Sequence, residues 1–140
     1  MPAVSDYLDT SALIRAWRLG LAPKGITRAH SLAEFYCVLT GPGIVVMREG
    51  REVKARLAPA VAAQAAARTF ANMIYQDVKP KEALDNLALA AGENVQGRNI
   101  HDWMHVAAAQ LSRATRIVTL NHKHFVEMTA MKIVSADNYF

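Results

Sequence analysis

The chain predicts an α/β fold in which a mostly parallel central sheet is flanked by helices on both faces. Short apolar runs rich in β-branched residues alternate with longer amphipathic or alanine-rich stretches. Glycine and proline stand between them at the places where elements must end. No internal repeat, low-complexity tract or linker interrupts the series, so the 140 residues read as one domain.

Val4 to Leu8 reads as a first strand, and Asp9-Thr10-Ser11 as the turn into a helix running through Leu13, Ile14 and Trp17 towards Gly20. Gly25 to His30 fits a second strand. Ser31 then caps a helix carrying Glu34, with the Ser-x-x-Glu spacing of a capping box. Gly41-Pro42-Gly43 ends that helix. Ile44 to Met47 and Glu52 to Arg56 make a charged hairpin across Arg48-Glu49-Gly50-Arg51. Ala58 to Met73 is an alanine-rich helix, Met73 to Val78 a strand, and Pro80 opens a helix to about Ala91. After a loop over Gly92 to Arg98, a helix runs from Asn99 to Arg113 with Ile100, Trp103, Met104, Ala107 and Leu111 on one stripe. Arg116 to Leu120 and Lys132 to Val134 complete the strands.

Composition narrows the function classes. Hydrophobic residues make up 52% and charged residues 20%, which is globular rather than disordered. Sixteen Lys and Arg against twelve Asp and Glu leave a net charge of +4, which steers towards an acidic partner such as nucleic acid. The single Cys37 excludes an internal disulfide, fits a reducing compartment and is expected as a small buried core residue. The N-terminal segment carries Asp6 and Asp9 and no basic stretch, unlike a secretory signal. Leu57 to Ala67 is interrupted by Pro59 and Gln64 and falls short of the roughly 20 residues of a membrane helix. The expectation is a cytoplasmic chain with no membrane span.

Three acids stand among apolar or small residues: Asp9, Glu34 and Asp102. Carboxylates in such surroundings are costly to bury, and three in one site repel one another. A hard cation such as Mg²⁺ or Mn²⁺ removes both penalties by taking carboxylate oxygens as ligands. In an open parallel sheet the loops after the strands share one edge, which is where function gathers. Asp9, Glu34, Asp102 and the Asn121 to His124 segment all follow predicted strands or open helices, so all project from that edge. Helix N-termini there add positive potential for carboxylates and phosphates alike. For Glu34 the capping box is a competing reading that needs no metal; the apolar face of Leu32, Phe35, Val38 and Leu39 favours the site.

Leu8-Asp9-Thr10-Ser11-Ala12-Leu13, His30-Ser31-Leu32-Ala33-Glu34-Phe35-Tyr36, Ile100-His101-Asp102-Trp103-Met104-His105 and Thr119-Leu120-Asn121-His122-Lys123-His124-Phe125 resemble the PIN domain. They look most like its VapC-type toxin ribonucleases, and the motifs run in family order over essentially the whole chain. The resemblance implies a three-layer α/β/α fold and a Mg²⁺- or Mn²⁺-dependent hydrolase cutting single-stranded regions of RNA. By match, Asp9, Glu34 and Asp102 are the catalytic, metal-ligating positions, and Thr10 or Ser11 a small hydroxyl beside them. Many relatives carry a further acid before the final Phe; here Asn121 and His124 stand around that place, which puts a second metal in question. The resemblance further implies a small antitoxin that blocks the acidic cleft, and a homodimer. Arg15, Arg18, Arg98 and Lys123 are the cations nearest these motifs in sequence, and so the candidates for the RNA backbone.

Two other readings compete. His101 and His105, four residues apart, have the spacing of a zinc pair on one helix face, but the acid between them is Asp102 rather than Glu and no third ligand is evident. Packing, or a hydrogen bond from His105 to Asp102, is the better account of that histidine. The missing fourth acid also fits a PIN-like module that binds RNA or protein without cutting.

Overall fold

The computed structural model describes residues 6–140. Its order is β1 (Asp6–Leu8), α1 (Thr10–Arg18), β2 (Gly25–Thr27), α2 (His30–Thr40), β3 (Ile44–Arg48), β4 (Arg51–Ala55), α3 (Pro59–Thr69), β5 (Met73–Tyr75), α4 (Pro80–Gly92), α5 (Asn99–Leu111), β6 (Arg116–Thr119), α6 (His122–Met128), β7 (Lys132–Ser135) and α7 (Ala136–Tyr139). Val4 and Ser5, assigned above to the first strand, lie outside the described residues.

Five strands form one sheet in the order β5-β2-β1-β6-β7, and every pairing in it is parallel. The expected three-layer α/β/α architecture follows from the alternation of side chains along each strand. Leu8 and Val118 point to one face, where they meet Ala12 and Leu13 of α1, Phe35 and Leu39 of α2, and Ala62 and Ala65 of α3. Tyr7 and Ile117 point to the other, against Val106, Ala108 and Ala109 of α5 and Phe125 of α6. Phe35 anchors the first core, edge-on to Phe70 at 5.2 Å and to Trp17 at 6.4 Å between ring centroids.

The antiparallel β3–β4 hairpin stands apart as its own two-stranded sheet. Its loop is Glu49-Gly50, both at positive φ (51° and 75°), the geometry a two-residue hairpin turn requires. At Gly43, φ is +80° and a β-carbon would stand 2.5 Å from the Ala55 carbonyl oxygen, so only glycine lets the chain leave α2 into this hairpin.

Several local expectations need correction. Within the turn Asp9-Thr10-Ser11 it is Asp9 that caps α1, its Oδ1 accepting from the Ala12 amide, while Thr10 and Ser11 are already helical. Ser31 is inside α2 and caps nothing; its hydroxyl is buried against Thr27 Oγ1 at 2.7 Å, so the capping box does not form and Glu34 is released from that duty. The buried face of α5 is His105 to Ala109, while Leu111 of the predicted stripe is exposed. Cys37 is exposed rather than in the core. Two short helices went unanticipated, α6 and α7. Among the described residues, no helix is long and apolar enough to cross a membrane.

Candidate active site

β1 lies at the centre of the sheet; the chain first builds outward from it through β2 to β5 and then returns to its other side with β6 and β7. The reversal leaves a crevice at the carboxyl ends of β1 and β6, the place where open parallel sheets bind ligands. A pocket of about 200 Å³ opens there, lined by Asp9, Thr10, Ser11, Glu34, Asp102 and His105, with Ile14, Val38 and Asn121 completing the wall. The three acids singled out in the sequence thus share one pocket although they lie just after β1, on α2 and on α5. A larger cavity of about 590 Å³ beside Trp103, between α5 and α6, gathers only Glu93 and Glu127 as ionisable groups.

Asp9 is 2% exposed and held by donors on both oxygens. Oδ1 accepts from Ser11 Oγ at 2.7 Å and from the Ala12 amide at 2.9 Å, and Oδ2 accepts from Thr119 Oγ1 at 2.6 Å. Burial nevertheless pushes its carboxyl above the ordinary value, against the opposing pull of the His105 ring and these three bonds. Ser11 and Thr119 are themselves tied in: Ser11 Oγ accepts from the Leu120 amide at 2.9 Å, and Thr119 Oγ1 from the Asn121 amide at 2.9 Å. The strand end of β6 therefore fixes the acid that ends β1. Sequence reasoning did not single out Thr119, and a threonine ending a strand gives no signal by itself.

Glu34 sits half-buried on the second turn of α2, its Oε1 3.1 Å from His105 Nε2. The contact is close but poorly aligned, so Oε1 is buried without a well-formed hydrogen bond among the described residues. Burial pushes the Glu34 carboxyl up, but His105, Arg28 and His30 outweigh it and leave it below the ordinary value. Arg28, just past β2, is a cation that the sequence did not mark. Asp102, in the first turn of α5, has Oδ2 3.2 Å from Nδ1 of the exposed His124 on α6.

His105 faces Tyr7 and Glu34, not Asp102: its Nδ1 is 2.7 Å from the Tyr7 hydroxyl. Its helix partner His101 turns outward and lies parallel to His30, ring centroids 6.1 Å apart and planes 11° from parallel. The two histidines therefore look in different directions, and the zinc pair does not form. Among the suggested RNA contacts, Arg15 is engaged by Asp137 at 3.3 Å and Arg18 donates to the Val45 carbonyl at 2.9 Å. Arg98 and Lys123 are exposed, the latter beside Asn121 and His124 in a second shallow pocket of about 340 Å³.

Among the described residues, no three His, Cys, Asp or Glu side chains stand close enough to form a ready metal cage. Each carboxylate is turned to a partner of its own instead. Two oxygens on residues lining this pocket are buried without a well-formed hydrogen bond among the described residues, however: Glu34 Oε1, beside His105 Nε2, and Thr10 Oγ1. Hard oxygen donors left over beside a buried acid fit a Mg²⁺- or Mn²⁺-type ion, which takes oxygen ligands and keeps waters of its own. Compared with known proteins, the chain matches no family model, no curated protein and no solved structure.

Proposed function

We propose that the protein is a Mg²⁺- or Mn²⁺-dependent endoribonuclease of the PIN-domain type, the toxin of a toxin–antitoxin pair. The observation that supports it most is the meeting of Asp9, Glu34 and Asp102 around one pocket at the sheet's switch point. Asp9 and Asp102 would hold the ion, with Glu34 on it directly or through its water. Bound there, such an ion supplies Lewis acidity and an activated water for phosphodiester hydrolysis.

The remaining work belongs to the protein. Ser11, Thr119 and the α1 amide keep Asp9 in one orientation, so no reorganisation is needed when a charged substrate arrives. Arg28, close enough to pull on the Glu34 carboxyl, adds positive potential for a phosphate on the β2 side of the pocket. His30 and His101 offer flat ring faces on which unpaired bases can stack, a sequence-tolerant contact suited to single-stranded RNA. A small antitoxin would silence the enzyme by covering the same pocket, and the toxin would act in the cytoplasm as a homodimer.

Purified protein should be incubated with a panel of structured RNAs, with and without divalent ions, beside Asp9→Asn. Cutting that needs the ion and is lost in the variant is expected; cutting that persists in chelator would overturn the mechanism. RNA binding without cutting, unchanged in Asp9→Asn, would mark the silent module instead. In cells, expression should arrest growth and Asp102→Ala should relieve it; equal toxicity of the variant would remove the nuclease basis.

A further inference from the structure

We propose that His105 is a positioning residue for Glu34, held in a single ring tautomer by the hydroxyl of Tyr7. The kinetic consequence rests on the nuclease reading above; the tautomer does not. Both side chains are buried, Tyr7 at 0% and His105 at 2% exposure, so water does not compete for the ring nitrogens. The Tyr7 hydroxyl stands 2.7 Å from Nδ1, and Nε2 points to Glu34 Oε1 at 3.1 Å. The rings meet edge-on at 5.7 Å, which fixes the imidazole plane as well as its nitrogens.

A neutral imidazole has one donor and one acceptor nitrogen. A phenol keeps its proton at neutral pH, so the Tyr7 hydroxyl 2.7 Å from Nδ1 can act as the donor. Donation to Nδ1 makes that nitrogen the acceptor and leaves the proton on Nε2, where it faces a carboxylate. The opposite tautomer would set the Nε2 lone pair against Glu34 Oε1 in a buried site, which is repulsive. Partners on one ring nitrogen commonly set what the other does in this way.

The placement gives the contact its purpose. Tyr7 lies on β1 two residues before Asp9, and His105 on α5 three residues after Asp102. The chain Tyr7–His105–Glu34 thus references the acid of α2 to β1, which runs into Asp9, and to α5, which carries Asp102. Glu34 Oε1 has no well-formed hydrogen bond among the described residues, so Nε2, at 3.1 Å, is its nearest polar neighbour.

The test uses the full chain with ¹⁵N-labelled histidine and long-range ¹H–¹⁵N NMR at about pH 8, where an unperturbed imidazole is neutral. His105, assigned by the signal lost in His105→Gln, should show a protonated Nε2 and an unprotonated Nδ1. Tyr7→Phe keeps the ring and removes only the hydroxyl; it should fold, confirmed by its melting curve, and shift His105 to mixed tautomers. In the RNA-cleavage assay Tyr7→Phe should lower kcat about tenfold with KM within about twofold, the loss of one aligned hydrogen bond. His105→Gln, which restores an N–H at the Nε2 position, should retain more activity than His105→Leu. Any wild-type signature other than Nε2–H, a signature unchanged in Tyr7→Phe, or an unchanged kcat in an active enzyme would overturn the proposal. Should no RNA be cut, the NMR result still decides the tautomer; should the tautomer fail while cutting persists, only the positioning role falls.

Discussion

Replacing Thr119 by Val tests how the central acid is held. The two side chains have nearly the same shape, and Thr119 is fully buried, so the change opens no cavity and removes only a hydroxyl. That hydroxyl donates to Asp9 Oδ2 at 2.6 Å, and Oδ2 has no other donor among the described residues. The Asn121 amide also loses its acceptor, but Asn121 is exposed and water can replace it. A hydrogen bond to a charged acceptor contributes roughly 2–3 kcal/mol, which for a domain of this size lowers the melting temperature by roughly 6–12 °C. The loss should depend on pH. Burial raises the folded-state value of Asp9, so its protonated form is favoured in the fold, and the group's contribution is present at low pH and lost as pH rises through that raised value. Removing the Thr119 donor raises it further, so the gap between parent and variant should widen as pH rises through the raised value and narrow below it. Thr119→Ser, which restores the hydroxyl, should recover most of the loss. Calorimetry of the three proteins from acid to neutral pH decides the matter. A Thr119→Val protein melting within about 2 °C of the parent at neutral pH, or a loss indifferent to pH, would refute the account of Asp9.

Other consequences are more local. Phe35→Ala should cost about 3–5 kcal/mol in urea denaturation, because it empties the centre of the α1–α2–α3 core at a fully buried ring. Asp6 is held below the usual carboxylate range by its two-pronged bond to Arg116, with the Tyr139 hydroxyl adding to it against the cost of burial. A depressed folded value means stability present above the ordinary range and lost as pH falls through the folded one, so the melting gap between parent and Asp6→Asn should close in acid; a gap constant with pH would contradict this. His101→Ala should raise KM for single-stranded RNA by roughly 5- to 100-fold, with His101→Phe restoring most of it, if the rim rings stack bases.

Most of the element order was legible because its punctuation is chemical. Pro59 and Pro80 open helices, Gly41 ends one, and Glu49-Gly50 makes a hairpin loop. What escaped was set by neighbours distant in sequence. α6 buries a single side chain, Phe125, and so carries no periodic apolar face to read. The α5 stripe misled because that helix packs on the sheet largely through small residues, Ala108 and Ala109 beside Val106, which a search for large apolar side chains passes over. Ser31 offers the capping-box spacing, yet Thr27 at the end of β2 takes its hydroxyl. At the site, the acids and Ser11 were legible as types. Thr119, Tyr7 and Arg28 were not, since their roles exist only where β1, β2 and β6 end side by side. Arg15 illustrates the reverse: it stands near a motif in sequence, but Asp137 claims it from the far end of the chain.

The two acids of the first strand region give the firmest physical ground for a functional site. Asp6 and Asp9 stand three residues apart in a chain with a net charge of +4, where cations are in excess. At Asp6 the fold supplies an arginine in two-pronged contact and a tyrosine hydroxyl, and the carboxyl falls below its ordinary value. At Asp9, more deeply buried, it supplies only neutral donors, and the carboxyl rises. Among the described residues, no Lys or Arg forms an ion pair with Asp9, Glu34 or Asp102; the only close partners of the last two are histidines. A fold that pairs a partly buried acid with an arginine at one end of a strand leaves three acids without a lysine or arginine ion pair around one pocket at the other. Burial makes the charge of Asp9 costly, whereas His105, Arg28 and His30 offset that cost at Glu34. Under the proposed function a divalent ion would offset the cost at Asp9, where an arginine would block the pocket against a phosphate.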